Sequence, residues 1–309
     1  MVFCHIPLPE GDFHKVVYSF HMPLFFLVGG LFYNPNKFTW KKGILTLIVP
    51  YLCFNLVIIG LNAVVSLAAG SFKMQLLLSG VGGVISGSSK SNWLGGLPSG
   101  PSWFLPAFFL VKISAKYVLK LNAYLQTVAI LLPIGIVVLL REYWTWSLWS
   151  IDSAVLGTIF FYTAFYLKEK VMLLLDNRKI IWMLVFTLPL CCLSFVNGQA
   201  DMYACNWGNN FMLYILFAFV GIFNVLLISK LLVMPQRVLK TFMDGSIFII
   251  CMNIWLIDYI SLFTRKFLQI TGDFQWPEKF LITAIVFAIT YFCTLVILRV
   301  SPQLLGKKK

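Results

Sequence analysis

Charged residues are scarce in this sequence. Asp, Glu, Lys and Arg make up 11% of the 309 residues, against about 25% in soluble domains, while hydrophobic residues reach 60% against about 45–50%. This number of charges is too small for the surface of a soluble domain. The composition therefore excludes a soluble catalytic module and predicts a membrane protein. The 24 basic residues outnumber the 11 acids, giving a net charge of +13. They form no dense polar stretch, which argues against nucleic-acid binding.

Long apolar runs mark the predicted transmembrane spans, because about 20 apolar residues cross the hydrocarbon core of a bilayer. Nine candidate spans lie near 16–33, 44–69, 103–119, 123–140, 150–167, 181–197, 211–234, 245–263 and 280–299. The chain is therefore predicted to be a single all-α domain, residues 1–309, folded as a polytopic transmembrane helix bundle.

The basic residues fall unequally on the two sides of this topology. Most of the 24 lie in the alternate loops that share a side with the C-terminus. Because cytoplasmic loops retain positive charge, we predict a multi-pass protein of the cell (inner or plasma) membrane with a cytoplasmic C-terminus. An odd span count then puts Met1 at or beyond the outer half of the membrane. Residues 2–6 look like the end of a helix whose beginning is absent, and no cleavable signal peptide is visible.

One long connection, residues 70–102, is rich in glycine and serine. We interpret it either as a lid or re-entrant element near a site, or as a flexible outer linker. The seven cysteines show no disulfide framework. The sequence has neither a His-x-x-x-His pair nor a Cys-x-x-Cys pair, and we therefore predict no metal site.

Histidine is confined to the first 21 residues, as His5, His14 and His21. No other side chain titrates near neutral pH without a large shift, so proton transfer, if it occurs, is predicted here. A turn at 7–11, with two prolines and a glycine, returns the chain to the same surface. We therefore expect His5 and His21 to lie close together, and we interpret His14 as a solvated loop residue.

Several polar residues lie within or at the ends of spans. Asp152 and Asp258 lie near outer ends, where each either orients a histidine, binds a polar acceptor or simply reaches the interface. Lys112 and Asn253 lie deeper and are expected to face the bundle interior, because unpaired polar groups are costly in lipid.

One block carries a family resemblance. The sequence FHMPLFFLVGGL at 20–31 resembles the FHMPLFF block of the acyltransferase-3 family of integral membrane acyltransferases. Weaker matches follow in the family's order: KK at 41–42 leading to PY at 50–51, SWFLPAFF at 102–109, NG at 197–198 and WGNN at 207–210.

The resemblance implies ten spans with both termini cytoplasmic, so the chain looks like a member without most of its first span. It also implies transfer of an acyl group, with acetyl favoured, from acyl-CoA to a hydroxyl of a carbohydrate or cell-envelope glycan. His5 matches the family's essential histidine. Thr46 and Asn253 stand where members often place Arg and His.

On this interpretation His5 is the general base, with His21 orienting it or sharing the proton. The anionic head of CoA would be attracted to Lys37, Lys41 and Lys42. The predicted substrate-binding residues are Trp103, Asn209, Asp152, Asn253 and Asp258.

Two alternatives stay open. In the first, the protein is a transporter or glycan flippase whose path is lined by Asn253, Asp258 and Lys112. In the second, it is a truncated, inactive acyltransferase homologue.

Overall fold

A computed structural model describes residues 2–6, 11–88, 100–143, 147–176 and 179–307. Apart from turns and one short hairpin, the described residues are helical. The helices are α1 Val2–His5, α2 Asp12–Leu31, α3 Trp40–Gly43, α4 Val49–Ala68, α5 Met74–Ser86, α6 Phe104–Val118, α7 Ala123–Leu140, α8 Ile151–Leu175, α9 Ile180–Cys192, α10 Phe211–Leu231, α11 Gln236–Asp244, α12 Ser246–Phe267 and α13 Trp276–Val300. The strands are β1 Ala200–Asp201 and β2 Asn206–Trp207.

Each of the nine predicted spans contains a helix, and the all-α polytopic architecture is confirmed. Among the described residues, seven helical segments are long and apolar enough to cross a bilayer. The predicted spans outside those seven are α2, whose first half carries polar residues including His14 and His21, and α6, which has only 15 residues. Much of both helices is buried against other helices.

The connection at 70–102 is more ordered than a flexible linker. Residues 74–86 form α5, and the end of this helix is anchored to the bundle. The Tyr51 hydroxyl donates to the Val84 carbonyl over 2.6 Å, and Ser150 Oγ donates to the Gly87 carbonyl over 3.1 Å. The linker interpretation is therefore wrong for this half of the segment, whereas residues 89–99 lie outside the described residues.

Helix α2 packs tightly against α8 at the centre of the bundle. A Cβ atom on Gly30 would lie only 2.1 Å from the Phe161 carbonyl oxygen, and one on Gly157 would lie 2.5 Å from the Phe26 ring. Only glycine permits such close helix contacts. They hold the second half of α2 against α8.

The hairpin between α9 and α10 is fixed by hydrogen bonds between Asn197 and the backbone of the segment that follows it. Strands β1 and β2 pair antiparallel, with Ala200 opposite Trp207. Asn197 Nδ2 donates to the Trp207 carbonyl over 2.7 Å, and the Asn209 backbone N–H donates to the Asn197 carbonyl over 2.7 Å. The Arg141 guanidinium lies 4.3 Å from the centre of the Trp207 ring. This small hairpin thus has a defined position at one end of the bundle.

Candidate active site

The three histidines line one cavity of about 380 Å³, which we call the histidine cavity. Its wall is built from α1, the first half of α2, the turn before α6, the hairpin and α12. The lining residues are His5, His14, Tyr18, His21, Met22, Gly100, Pro101, Trp103, Gln199, Asp201, Tyr203 and Ile254.

Helices α1 and α2 bring His5 and His21 together. Val2 and Ile6 are buried against α12 and α13, which fixes His5 between them in sequence. The ring centroids of His5 and His21 are 6.4 Å apart, which agrees with the expected proximity. His14 is not a solvated loop residue: it lies in α2 and stacks on Tyr18 with centroids 3.8 Å apart.

Both close histidines use Nδ1 for hydrogen bonds to the protein. His21 Nδ1 lies 3.2 Å from the Val17 carbonyl oxygen. A carbonyl can only accept, so Nδ1 carries the proton, and in the neutral ring Nε2 is the acceptor nitrogen. His5 Nδ1 lies 3.1 Å from the Tyr18 hydroxyl, which can donate or accept. The arrangement can therefore take up a proton through an imidazole Nε2.

Trp103 is the predicted substrate residue that lines this cavity. It is held there by the turn before α6. Asn55 Nδ2 donates to Ser102 Oγ over 3.0 Å, and Asn55 itself is fully buried on α4. The sequence block at 102–109 thus places one aromatic ring in the cavity wall next to the histidines.

The other predicted substrate residues lie behind the wall or away from it. Asn253 is fully buried beside the lining residue Ile254, and its Nδ2 has no hydrogen-bond partner among the described residues. Asp152 is buried at the start of α8, where it accepts from Ser147 Oγ over 2.6 Å. Asn209 and Asp258 are exposed and do not line the cavity.

Sequence reasoning missed the hairpin's contribution. Gln199, Asp201 and Tyr203 line the cavity, together with Tyr18 from α2. No long apolar run or known motif marks residues 199–203. The one local signal is the alternation of polar and apolar residues over these five positions, which is too short to predict a strand with any specificity.

A second cavity of about 500 Å³, the lysine cavity, is lined by the other half of α2. Lys37, Lys42 and Lys112 line it, together with Thr46, whereas Lys41 is exposed and lies outside the lining. Lys112 Nζ lies 4.4 Å from the centre of the Phe108 ring. Two of the three lysines predicted to bind CoA therefore share a cavity with the deeper Lys112.

Packed aromatic rings separate the two cavities. Trp103 lines the histidine cavity, and the next residue, Phe104, lines the lysine cavity. Phe104 is buried and packs on Phe25, Phe26 and Phe108, with centroid distances of 5.5, 5.1 and 5.0 Å. We call these four phenylalanines the aromatic partition.

The described residues contain no group of three His, Cys, Asp or Glu side chains placed to hold a metal ion. The comparison with protein families identifies the class of the chain. A family model described as "Acyltransferase domain", that of the acyltransferase-3 family, matches residues 1–299.

The chain belongs to the acyltransferase-3 family. Membership supports a membrane acyltransferase, a class that uses an acyl donor. The match includes both cavities and the aromatic partition. No curated protein and no solved structure matches this acyltransferase-3 chain.

Proposed function

We propose that this protein is an O-acyltransferase of the cell membrane that moves an acyl group, with acetyl as the expected group, from acyl-CoA to a hydroxyl of a carbohydrate or cell-envelope glycan. The donor reaches the lysine cavity from the cytoplasm, the side that also carries the C-terminus. The acceptor occupies the histidine cavity.

One observation carries the proposal. Within a chain of an acyltransferase family, two imidazoles with ring centroids 6.4 Å apart face a cavity that is also lined by Trp103. A hydroxyl group has a pKa far above neutrality and needs a base as it attacks, and imidazole is the side chain best suited to that task near pH 7.

In the proposed acyl transfer, every bond that is broken and every proton that moves can be assigned. Imidazole Nε2 takes the proton from the acceptor hydroxyl as the hydroxyl oxygen attacks the thioester carbonyl carbon. The C–S bond then breaks, the ester is formed and the leaving CoA sulfur takes up a proton. His5 and His21 hold and move this proton, and the Tyr18 hydroxyl and Val17 carbonyl orient their rings.

The charge of the lysine cavity suits the donor. CoA carries several phosphate charges, and Lys37, Lys42 and Lys112 offer three cations in one cavity without an acidic residue among its described lining. The thioester end would then be directed toward the aromatic partition, on whose other side the histidines lie.

The test uses the full chain reconstituted in proteoliposomes with radiolabelled acetyl-CoA and a mixture of cell-envelope glycans. We expect label in an alkali-labile ester on the glycan. His5→Ala and His21→Ala should each lower kcat by about a hundredfold or more, because general base catalysis typically contributes 10²–10⁴. The KM for acetyl-CoA should change little, since neither histidine lines the lysine cavity.

Wild-type rates in both histidine variants would contradict this mechanism. Size-exclusion profiles and melting temperatures of the variants serve as folding controls. Counterflow of a labelled glycan across the bilayer without any acyl donor, combined with no ester formation, would favour a transporter instead.

A further inference from the structure

Helix α12 runs past both cavities. Ser246, Ile247 and Ile250 line the lysine cavity, and Ile254 lines the histidine cavity. Asn253 lies between Ile250 and Ile254 in this helix. Residues three and seven positions apart share a helix face, so Asn253 lies on the same side of α12 as Ile250 and Ser246. The level at which one cavity ends and the other begins along α12 is therefore the level of Asn253.

The aromatic partition begins at the same level. The turn before α6 carries Trp103, and Phe104 of the partition follows it. This turn packs on α12, and a Cβ atom on Gly100 would lie 3.5 Å from Ile254 Cδ1. Asn253 precedes Ile254 and has no exposed surface. It therefore belongs to the buried layer of protein between the two cavities.

The side-chain amide of Asn253 is hydrogen-bonded at its oxygen only. Oδ1 accepts from the Ile254 backbone N–H over 2.7 Å. A backbone N–H can only donate, so the amide oxygen must face it and the NH₂ group must point elsewhere. Nδ2 has no hydrogen-bond partner among the described residues, although the side chain is fully buried. Buried donors are nearly always paired, because an unpaired one costs free energy. This donor therefore calls for an acceptor that the described residues do not supply.

Another buried asparagine, Asn224 on α10, has a different environment. Its Nδ2 donates to the carbonyls of Thr187 and Val220, each over 3.1 Å, and its Oδ1 accepts from Thr187 Oγ1 over 2.6 Å. Asn224 thus links α9 to α10, and it is absent from the described lining of both cavities. Helix packing accounts for every hydrogen-bonding atom of the Asn224 amide, but it does not account for Asn253 Nδ2.

Acyl transfer from a thioester creates an acceptor of the kind that Asn253 lacks. As the hydroxyl oxygen bonds to the carbonyl carbon, an electron pair of the C=O bond moves onto the carbonyl oxygen, which becomes an anion. The pair returns when the C–S bond breaks. In a site shielded from bulk water, one N–H donor directed at that oxygen lowers the barrier substantially. On the proposed function, the thioester has to enter the layer that contains Asn253 in order to meet the hydroxyl.

We propose that Asn253 Nδ2 is an oxyanion donor of the acyl transfer: it donates a hydrogen bond to the thioester carbonyl oxygen as that oxygen gains negative charge. The inference rests on the proposed function and adds to it a catalytic residue that acts on the acyl donor. The imidazoles of His5 and His21 take the proton of the acceptor hydroxyl, and Asn253 stabilises the charge on the carbonyl oxygen.

The test compares two variants of the full chain in proteoliposomes, Asn253→Leu and Asn224→Leu. Leucine is close to asparagine in size but has no donor. We expect Asn253→Leu to lower kcat for acetyl transfer about a hundredfold, as for the loss of one oxyanion donor. Both KM values should stay within about twofold, because the interaction strengthens only in the transition state. The melting temperature should stay unchanged or rise, since an unpaired buried polar group is removed.

Asn224→Leu is expected to do the reverse. It removes hydrogen bonds between α9 and α10, so the melting temperature should fall while kcat and KM stay near wild type. Asn253→Ala, which removes the donor without filling its space, gives a second measurement of the effect on kcat. Wild-type kcat in both Asn253 variants, an effect of Asn253→Leu on KM alone, or an equal loss of kcat in Asn224→Leu would overturn the inference.

The wild-type and histidine variants separate this inference from the proposed function. Transfer that is lost in His5→Ala but retained in Asn253→Leu would leave the function standing and overturn the oxyanion role. No ester formation by the wild-type chain would overturn the proposed function and this inference with it. Loss of kcat in both variants at unchanged melting temperature would support both.

Discussion

The two cavities along α2 differ in charge more than in size. The described lining of the histidine cavity carries one carboxylate and no Lys or Arg, whereas that of the lysine cavity carries three lysines and no acid. Because cations attract anions, the proposed anionic donor should favour the lysine cavity over the histidine cavity. On the proposed function, the charge of the lysine cavity would direct the donor to one of the two cavities.

Opening the aromatic partition should remove the separation between the two cavities. Phe104→Ala should lower the free energy of unfolding by roughly 3 kcal/mol, as for large-to-small changes at buried aromatic positions. It should also connect the two cavities and let water reach the thioester. We expect acetyl-CoA hydrolysis in the absence of acceptor to rise several-fold, measured as free thiol release from the reconstituted protein.

Phe263→Ala is the matched control for this variant. Its side chain is 70% exposed on α12, away from the partition. A similar rise in hydrolysis with Phe263→Ala, or no rise with Phe104→Ala in folded protein, would mean that Phe104 does not separate the two cavities.

A second test reduces the positive charge of the lysine cavity. The double variant Lys37→Met, Lys42→Met should raise the KM for acetyl-CoA about tenfold. Loss of buried ion pairs would raise it more, but water screens these two exposed lysines. The acceptor KM should stay within about twofold. Wild-type KM for acetyl-CoA should also rise with ionic strength, and this dependence should weaken in the variant.

Lys41→Met provides the internal standard. Lys41 adjoins Lys42 in sequence but lies outside the cavity lining, so its removal should change the KM for acetyl-CoA less than about twofold. A larger effect from Lys41 than from Lys42 would show that the donor binds elsewhere on this surface.

The orientation of His5 depends on a single hydrogen bond. Tyr18→Phe keeps the ring that stacks on His14 but removes the hydroxyl 3.1 Å from His5 Nδ1. We expect kcat to fall about fivefold, in line with the loss of one neutral hydrogen bond, while both KM values stay constant. Steady-state kinetics measures this, with the exposed Tyr143→Phe as the control. A change confined to KM would assign Tyr18 to substrate binding instead.

The spans could be predicted because their signal is local. A long run of apolar residues indicates by itself that the segment lies in lipid. Every predicted span contains a helix. The same reasoning failed for α5, because its glycines and serines read as a linker while its order comes from distant partners such as Tyr51 and Ser150.

The site was predictable only where residues are near in sequence or carry a family motif. The proximity of His5 and His21 was predicted from the prolines and glycine between them, although residues 7–10 lie outside the described residues. Trp103 belonged to a recognisable block. Asn209 and Asp258 are polar residues like those that line the cavity, yet both are exposed. The direction of each side chain depends on helix rotation and hairpin geometry, which the sequence does not give. Asp201 and Tyr203 could not be found, because their approach to the histidines is a tertiary contact.

The close fit of α2 to α8 limits how this protein can work. Gly30 lies so close to the Phe161 carbonyl, and Gly157 so close to the Phe26 ring, that a shift of one helix along the other would have to displace these groups. Rocking of one half of the bundle against the other, the motion by which many transporters expose a site alternately to each side, would have to shear this contact. On the proposed function, the thioester arm of the donor would therefore reach the histidine cavity through rotation of aromatic side chains, while α2 and α8 keep their positions.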